Sequence, residues 1–128
     1  MPKQVIRTSE AAPPLGAYSQ GIRAGDFLFV TGCGPIDPET AKVKGGTIEE
    51  QTEVVLDNLE KILEAGGATL ADVVKATVHL HDPAEFSGFN SVYARRVPEP
   101  RPARTTVGSN LGAVPGMRVE IDLIAYLA

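Results

Sequence analysis

Arg104 stands in the run Arg101-Pro102-Ala103-Arg104-Thr105-Thr106-Val107, ahead of a closing stretch, Met117 to Tyr126, whose apolar alternation is interrupted by Arg118, Glu120 and Asp122. A guanidinium is a planar fork of donors that holds a carboxylate through two parallel N–H bonds. A carboxylate within reach of the same ligand can take up or return a proton. The two together predict a pocket for a small carboxylic acid, anchored by Arg104 and served by an acid from the closing strand. Plainer roles compete. Most arginines sit at the surface or in ion pairs, which for Arg104 would mean Glu120 or Asp122. A strand carboxylate such as Glu120 usually faces solvent. His79 and His81 share one strand face at i, i+2, but no third or fourth ligand spacing accompanies them, so no metal site is expected. Cys33 has no activating base beside it and reads as a buried or idle thiol.

These residues need a frame, and the frame has local signals. Gly21 to Thr31 reads as two short strands around the turn Ala24-Gly25-Asp26. Asp37-Pro38-Glu39-Thr40 is a second turn. Thr47 lies three residues before Glu50, the spacing at which each side chain caps the other's backbone N–H at a helix start. Val55, Leu59, Ile62 and Leu63 then recur on one helical face, opposite a surface of Glu49, Glu53, Asp57, Glu60, Lys61 and Glu64, until Gly66-Gly67 stops the helix. From Val73 to His81 the period is two, with Val74, Ala76, Val78 and Leu80 on the inner face. Asp82-Pro83 starts a second helix carrying Phe86, Phe89 and Tyr93 and ending by Pro98. Thr105 to Ser109 and Met117 to Tyr126 are closing strands.

The order strands, helix, strand, helix, strands predicts an α+β fold with two helices on one face of a sheet. Val73, Thr77, Ile124 and Tyr126 then fall on the uncovered face, which predicts packing against another copy. At 128 residues the chain reads as a single domain, residues 1–128, burying roughly two-thirds of its unfolded surface. No apolar run is long enough for a bilayer, and residues 1 to 16 lack the pattern of a secretory signal. One cysteine and a net charge of −4 fit a cytoplasmic protein that binds neither membrane nor nucleic acid.

Taken together, these residues resemble the RidA (YjgF) family of small imine and enamine deaminases. The resemblance runs through Leu15-Gly16-Ala17-Tyr18-Ser19-Gln20-Gly21, Val30-Thr31-Gly32, Asp37-Pro38-Glu39-Thr40, Gln51 with Asn58-Leu59, Asn90 with Tyr93, Pro102-Ala103-Arg104 and Arg118-Val119-Glu120-Ile121. It implies a chorismate-mutase-like fold and a homotrimer whose sheets form a barrel, with sites in clefts between subunits. It further implies hydrolysis of 2-aminoacrylate and related 2-imino acids to 2-keto acids and ammonia, without metal or organic cofactor. By the same resemblance Arg104 matches the carboxylate anchor and Glu120 the acid that positions or activates water. Tyr18 and Thr31 match pocket positions able to bond the substrate nitrogen or the water. Asn90, Gly32 and Thr106 match substrate-binding positions.

Three features depart from the family pattern. Thr106 stands where many members carry cysteine, Ala17 where proline is common, and the segment from Tyr93 to Arg104 is a few residues shorter. Cys33 occupies a place often held by glutamine. Two rival functions follow from other classes. A keto- or amino-acid sensor would need Arg104 but not Glu120. Ribonuclease or translation-inhibitor activity, attributed to some relatives, is opposed by the acidic balance and the lack of a basic, aromatic-bearing surface.

Overall fold

The computed structural model describes residues 2–128. Six strands form one mixed sheet: β1 (Gln4–Ile6), β2 (Gly21–Ala24), β3 (Phe27–Cys33), β4 (Val73–Leu80), β5 (Ala103–Gly108) and β6 (Val119–Tyr126). Two helices, α1 (Ile48–Ala65) and α2 (Phe86–Arg96), pack on one face of it. The spatial order is β1-β2-β3-β6-β4-β5. The last strand in sequence therefore lies in the middle, antiparallel to both β3 and β4, while β4 and β5 run parallel with α2 as their crossover. The expected α+β arrangement of two helices on one face is present. β1 is an addition that the sequence pattern did not signal, being only three residues long.

The hairpin of β2 and β3 turns through Gly25-Asp26, with Gly25 at φ +58°, a conformation open to glycine at little cost. At the start of α1 the reciprocal cap forms as the spacing predicts. Thr47 Oγ1 accepts from Glu50 N–H at 3.1 Å, and Glu50 Oε1 accepts from Thr47 N–H at 3.1 Å and from Gly46 N–H at 2.9 Å. The stripe Val55, Leu59, Ile62 and Leu63 is buried, with Leu56 added to it. Truncating one of these leucines to alanine would cost about 2–5 kcal/mol. The second helix starts later than expected. Asp82 Oδ1 accepts from Ala84 N–H at 2.9 Å, but it caps a single 3₁₀ turn, Pro83–Glu85, that leads into α2.

Arg96, at the C-terminal end of α2, reaches across to Glu53, Asp57 and Glu60 on one face of α1. Burial opposes its charge, but the three carboxylates win and hold it protonated more firmly than a free arginine. Burial likewise opposes the charge on Glu53, and hydrogen bonds from Arg96 and Arg95 reverse that, holding its pKa below the ordinary value.

The expected facing of β4 needs a correction at its start. Val73 is buried and Val74 is 45% exposed, the reverse of strict alternation. A bulge between Val73 and Lys75 against β6 admits one extra residue and inverts the facing of everything before it. From Ala76 onward the alternation is as predicted. The uncovered face is more apolar than the sequence pattern indicated. Phe27 and Phe29 on β3 join Tyr126 and Ile124 on β6, and the pairs Val5–Ile22 and Ile22–Phe29 extend this ladder to the sheet edge. Phe27, Phe29, Tyr126, Val5 and Val74 are all exposed in the isolated chain.

Candidate functional site

Two separate clusters emerge, one on each face of the sheet. The first surrounds Arg104. On β5 this residue pairs with Ala76, which is fully buried beneath the helices, so its side chain lies on the helix-covered face. There its guanidinium carbon sits 4.7 Å from the ring centre of Tyr93, 5.4 Å from Phe86 and 5.5 Å from Phe89. Cation–π attraction to these rings steadies the fork while leaving its in-plane N–H groups available. One of them, on Nη1, donates to Asn90 Oδ1 at 2.9 Å. Asn90 thus orients the arginine. The helical recurrence Phe86, Phe89, Asn90, Tyr93 exists on one face of α2, and Arg104 is what it packs against.

No described carboxylate pairs with Arg104, whereas Arg95, Arg96, Arg101 and Arg118 are all in ion pairs. The anticipated alternative, a structural bridge to Glu120 or Asp122, is absent for a topological reason: both acids lie on the other side of the sheet. Thr106 is half-buried, pairs with Val78 and shares the face of Arg104. Tyr93 is nearly buried and its hydroxyl has no hydrogen-bond partner. Burial pushes its pKa up, with Arg104 and Arg101 opposing.

The second cluster surrounds Glu120. This residue pairs with His79 on β4, three positions from Ala76, and therefore lies on the uncovered face with Asp122, which pairs with Thr77. Glu120 borders a hollow together with Tyr18, Thr31, Gly32 and Cys33. The β3–β6 register is irregular between Val30 and Cys33, and this bulge brings Gly32 against the acid. A Cβ on Gly32 would lie 3.0 Å from the Glu120 carboxyl carbon, so the glycine is needed for close approach. Tyr18 Oη accepts from Leu15 N–H at 2.9 Å, and Tyr18 N–H donates to Gly16 O at 3.0 Å. The loop in which alanine replaces proline is thereby closed on itself. Thr31 N–H donates to Gln20 O at 2.9 Å.

Three buried amides that carried no chemical role in the sequence reading, Gln20, Asn58 and Gln51, brace the loops around this hollow, and Gln20 also lines it. Gln20 Nε2 donates to Thr8 O and Ala12 O, and Asn58 Oδ1 accepts from Ala12 N–H at 3.0 Å. Asn58 Nδ2 donates to Ile36 O at 2.8 Å. Gln51 accepts from Arg118 N–H at 2.8 Å and donates to Gly116 O at 2.8 Å, fixing the loop before β6. Such amides are retained inside because they satisfy loop backbone that would otherwise be buried unpaired. For Gln51 and Asn58 the signal in the sequence was a polar residue on the apolar side of α1; Gln20, just before β2, had no such signal.

The remaining candidates have local roles. Burial, then the negative charges of Glu120 and Asp122, push the Cys33 thiol up to about 12, so it is neutral and not a nucleophile. His79 Nδ1 is 2.7 Å from Ser109 Oγ, while His81 Nδ1 accepts from Leu111 N–H at 3.0 Å. The two histidines thus have different partners, and no cluster of three metal-ligating side chains occurs among the described residues. No helix among the described residues is long and apolar enough to cross a membrane.

Comparisons with known proteins agree with this fold. A family model described as Endoribonuclease L-PSP matches residues 8–127. A RutC family protein of Pyrococcus horikoshii is 46% identical over 97% of this chain and 98% of its own. Reactive Intermediate Deaminase A of Arabidopsis thaliana, a chloroplast protein, is 42% identical over 98% of this chain and 66% of its own. The crystal structure of RidA from Psychrobacter sp. PAMC 21119 superimposes with a TM-score of 0.91 at 38% identity, covering 97% of this chain and 99% of that one. The fold, the family match and the close relatives place the chain in the Endoribonuclease L-PSP family, the group of RidA, YjgF and RutC proteins.

Proposed function

We propose that the protein hydrolyses 2-imino acids, and the enamines that tautomerise to them, to 2-keto acids and ammonia. The observation that carries this reading is the state of Arg104: half-buried, stacked over three rings, braced by Asn90, and paired with no described carboxylate. A guanidinium held in place with unused donors is a receptor for an anionic ligand. The similarity to a protein named Reactive Intermediate Deaminase A supports an imino acid as that ligand.

Within one chain Arg104 and Glu120 cannot serve the same small molecule, because they face opposite sides of the sheet. An assembly resolves this. The exposed ladder of Phe27, Phe29 and Tyr126 is the kind of apolar patch that another subunit covers, and closed rotational symmetry is the common outcome for identical chains. In a homotrimer whose subunits also meet along β5, an edge strand of the sheet, Arg104, Asn90 and Thr106 of one copy border the same cleft as Glu120, Thr31, Gly32 and Tyr18 of the next. The substrate carboxylate rests on the Arg104 fork. Thr31 or Tyr18 accepts from the iminium N–H. Glu120 draws a proton from water as the oxygen bonds to the imine carbon. The resulting carbinolamine passes its hydroxyl proton to the nitrogen, the C–N bond breaks as the C=O forms, and the departing ammonia takes back the proton held by Glu120 and leaves as ammonium, restoring the carboxylate. For 2-aminoacrylate a proton first adds to its terminal carbon, giving 2-iminopropionate. Imines hydrolyse unaided in water, so positioning and oriented charge suffice for useful acceleration.

The decisive assay follows 2-iminopropionate, generated freshly by an amino-acid oxidase, to pyruvate. The protein accelerates its disappearance, and Arg104→Ala removes the acceleration while leaving the oligomer unchanged. Acceleration by Arg104→Ala equal to that of the unaltered protein would refute the anchor. Ligand binding with no faster keto-acid release would favour the sensor instead.

A further inference from the structure

A separate recess of about 370 Å³ opens between α2 and the start of β5. Arg101 and Arg104 both line it, with Asn90 and Tyr93 of α2, and no carboxylate does so among the described residues. Two guanidiniums thus share one recess in a chain whose net charge is −4. Pro102 stands between them, and its ring fixes one backbone torsion of the link that spaces them. Arg101 is only lightly committed elsewhere. It donates to Ala94 O and to Glu99 Oε1, each at 3.2 Å, and its pair with Glu99 is open to solvent on both sides. An exposed pair of this kind adds little stability. The Tyr93 hydroxyl is buried and has no hydrogen-bond partner among the described residues. Burial raises its pKa, and the charges of Arg104 and Arg101 both oppose that rise. A buried hydroxyl is costly to leave unpaired, and a ligand oxygen held by the two arginines would satisfy it.

One carboxylate occupies one guanidinium fork. The chemistry proposed above therefore uses Arg104 and leaves Arg101 without a task, although both line the same recess. A ligand that engages both must carry negative charge at two points. In a 2-imino acid the first carboxylate and the nitrogen are already assigned, so the second charge can only sit on the side chain. We propose that Arg101 is a specificity-determining residue that receives a second carboxylate at the far end of the substrate side chain, with the Tyr93 hydroxyl as a further donor. The protein then prefers 2-imino and 2-keto diacids over monoacids of the same length. The proposal rests on the reading of Arg104 as the carboxylate anchor.

The test uses stable keto acids, which keep the side chain and carboxylate without needing turnover. Calorimetric titration compares 2-oxoglutarate with 2-oxopentanoate, which has the same chain length but ends in a methyl group instead of a carboxylate. 2-Oxoglutarate binds about tenfold more tightly, the gain expected of a charge-assisted hydrogen bond at a partly open site. Arg101→Gln keeps hydrogen-bonding groups but removes the charge, and it brings the two affinities to within about threefold of each other. Glu99→Gln, at an exposed position, releases Arg101 from its competing carboxylate and widens the preference. Equal binding of the two acids by the unaltered protein overturns the subsite, as does a preference that survives Arg101→Gln or narrows in Glu99→Gln. Failure to bind either acid overturns it together with the Arg104 anchor. Should no imine be hydrolysed faster while the diacid preference and its loss in Arg101→Gln both appear, the subsite stands and the deaminase reading falls. Should imines be hydrolysed with no dependence on a distal carboxylate and the two keto acids bind equally, the subsite falls and the deaminase reading stands.

Discussion

Arg104 and Glu120 flank the same strand, β4, yet point to opposite faces of the sheet. Arg104 pairs with Ala76 and Glu120 with His79, and an odd separation along a strand reverses the facing. Two groups that the proposed chemistry needs at one substrate are thereby divided between two halves of a site. In the proposed homotrimer each chain would carry both halves, and neither half would be complete alone.

That division has a direct consequence for mixed assemblies. Arg104→Ala and Glu120→Gln are each inactive as pure proteins. When the two are co-expressed, activity returns, because about one interface in four pairs an intact Arg104 with an intact Glu120 in a random cyclic assembly. Imine hydrolysis by the co-purified mixture is the measurement. Activity no greater than the sum of the separate variants would place both residues at one intrachain site.

Phe29→Glu disperses the assembly without unfolding the chain. Phe29 is 44% exposed in the isolated chain and lies outside its buried core, so the monomer loses little by the change. At an interface the same substitution buries an unpaired carboxylate, which costs several kcal/mol. Analytical ultracentrifugation is expected to show monomer, with circular dichroism unchanged and imine hydrolysis lost. A variant that stays assembled and active would show that this face is not the contact.

Asn90→Ala weakens substrate capture by about fivefold, with the Arg104 rings still in place. The substitution removes one hydrogen bond to a guanidinium, worth about 1 kcal/mol in net terms. Steady-state kinetics are expected to show the effect mainly in KM. An unchanged KM would mean that the aromatic stack alone orients the arginine.

Cys33 makes stability depend on alkaline pH. Its folded-state pKa lies above the ordinary 9.0, near 12, because burial and the charges of Glu120 and Asp122 disfavour the thiolate. The stability contributed by keeping the thiol neutral is complete below pH 9 and falls as pH rises toward 12. Denaturant titrations between those limits are expected to show this decline, and Cys33→Ala to lack this component of it. The native thiol also reacts slowly with a disulfide reagent at pH 8, and fast labelling there would contradict its burial.

Much of the frame was legible in the residues because its causes are local. Thr47 and Glu50 announce the start of α1, Gly25-Asp26 marks the hairpin, and the fourfold apolar recurrence gives the buried face of α1. Each depends on residues a few positions apart, where backbone geometry alone decides who meets whom. The chemical types were equally readable: a guanidinium on a Pro-rich approach, alternate charges on the final strand, and a buried thiol without a base. So was the resemblance that led to the family.

Only the tertiary structure decided where those groups point. A period of two sorts strand residues into two sets but does not say which set meets the helices. That choice follows from pairing with strands far away in the chain, such as the insertion of β6 between β3 and β4. The bulges at Val73 and after Val30 shift that facing by one residue, and no local propensity announces them. Glu120 could therefore be chosen from the sequence as an acid, but its place across the sheet from Arg104 is a property of register. The apolar hollow beside it is assembled from five separate segments, held by Gln20, Gln51 and Asn58 through hydrogen bonds that span up to 67 positions of sequence.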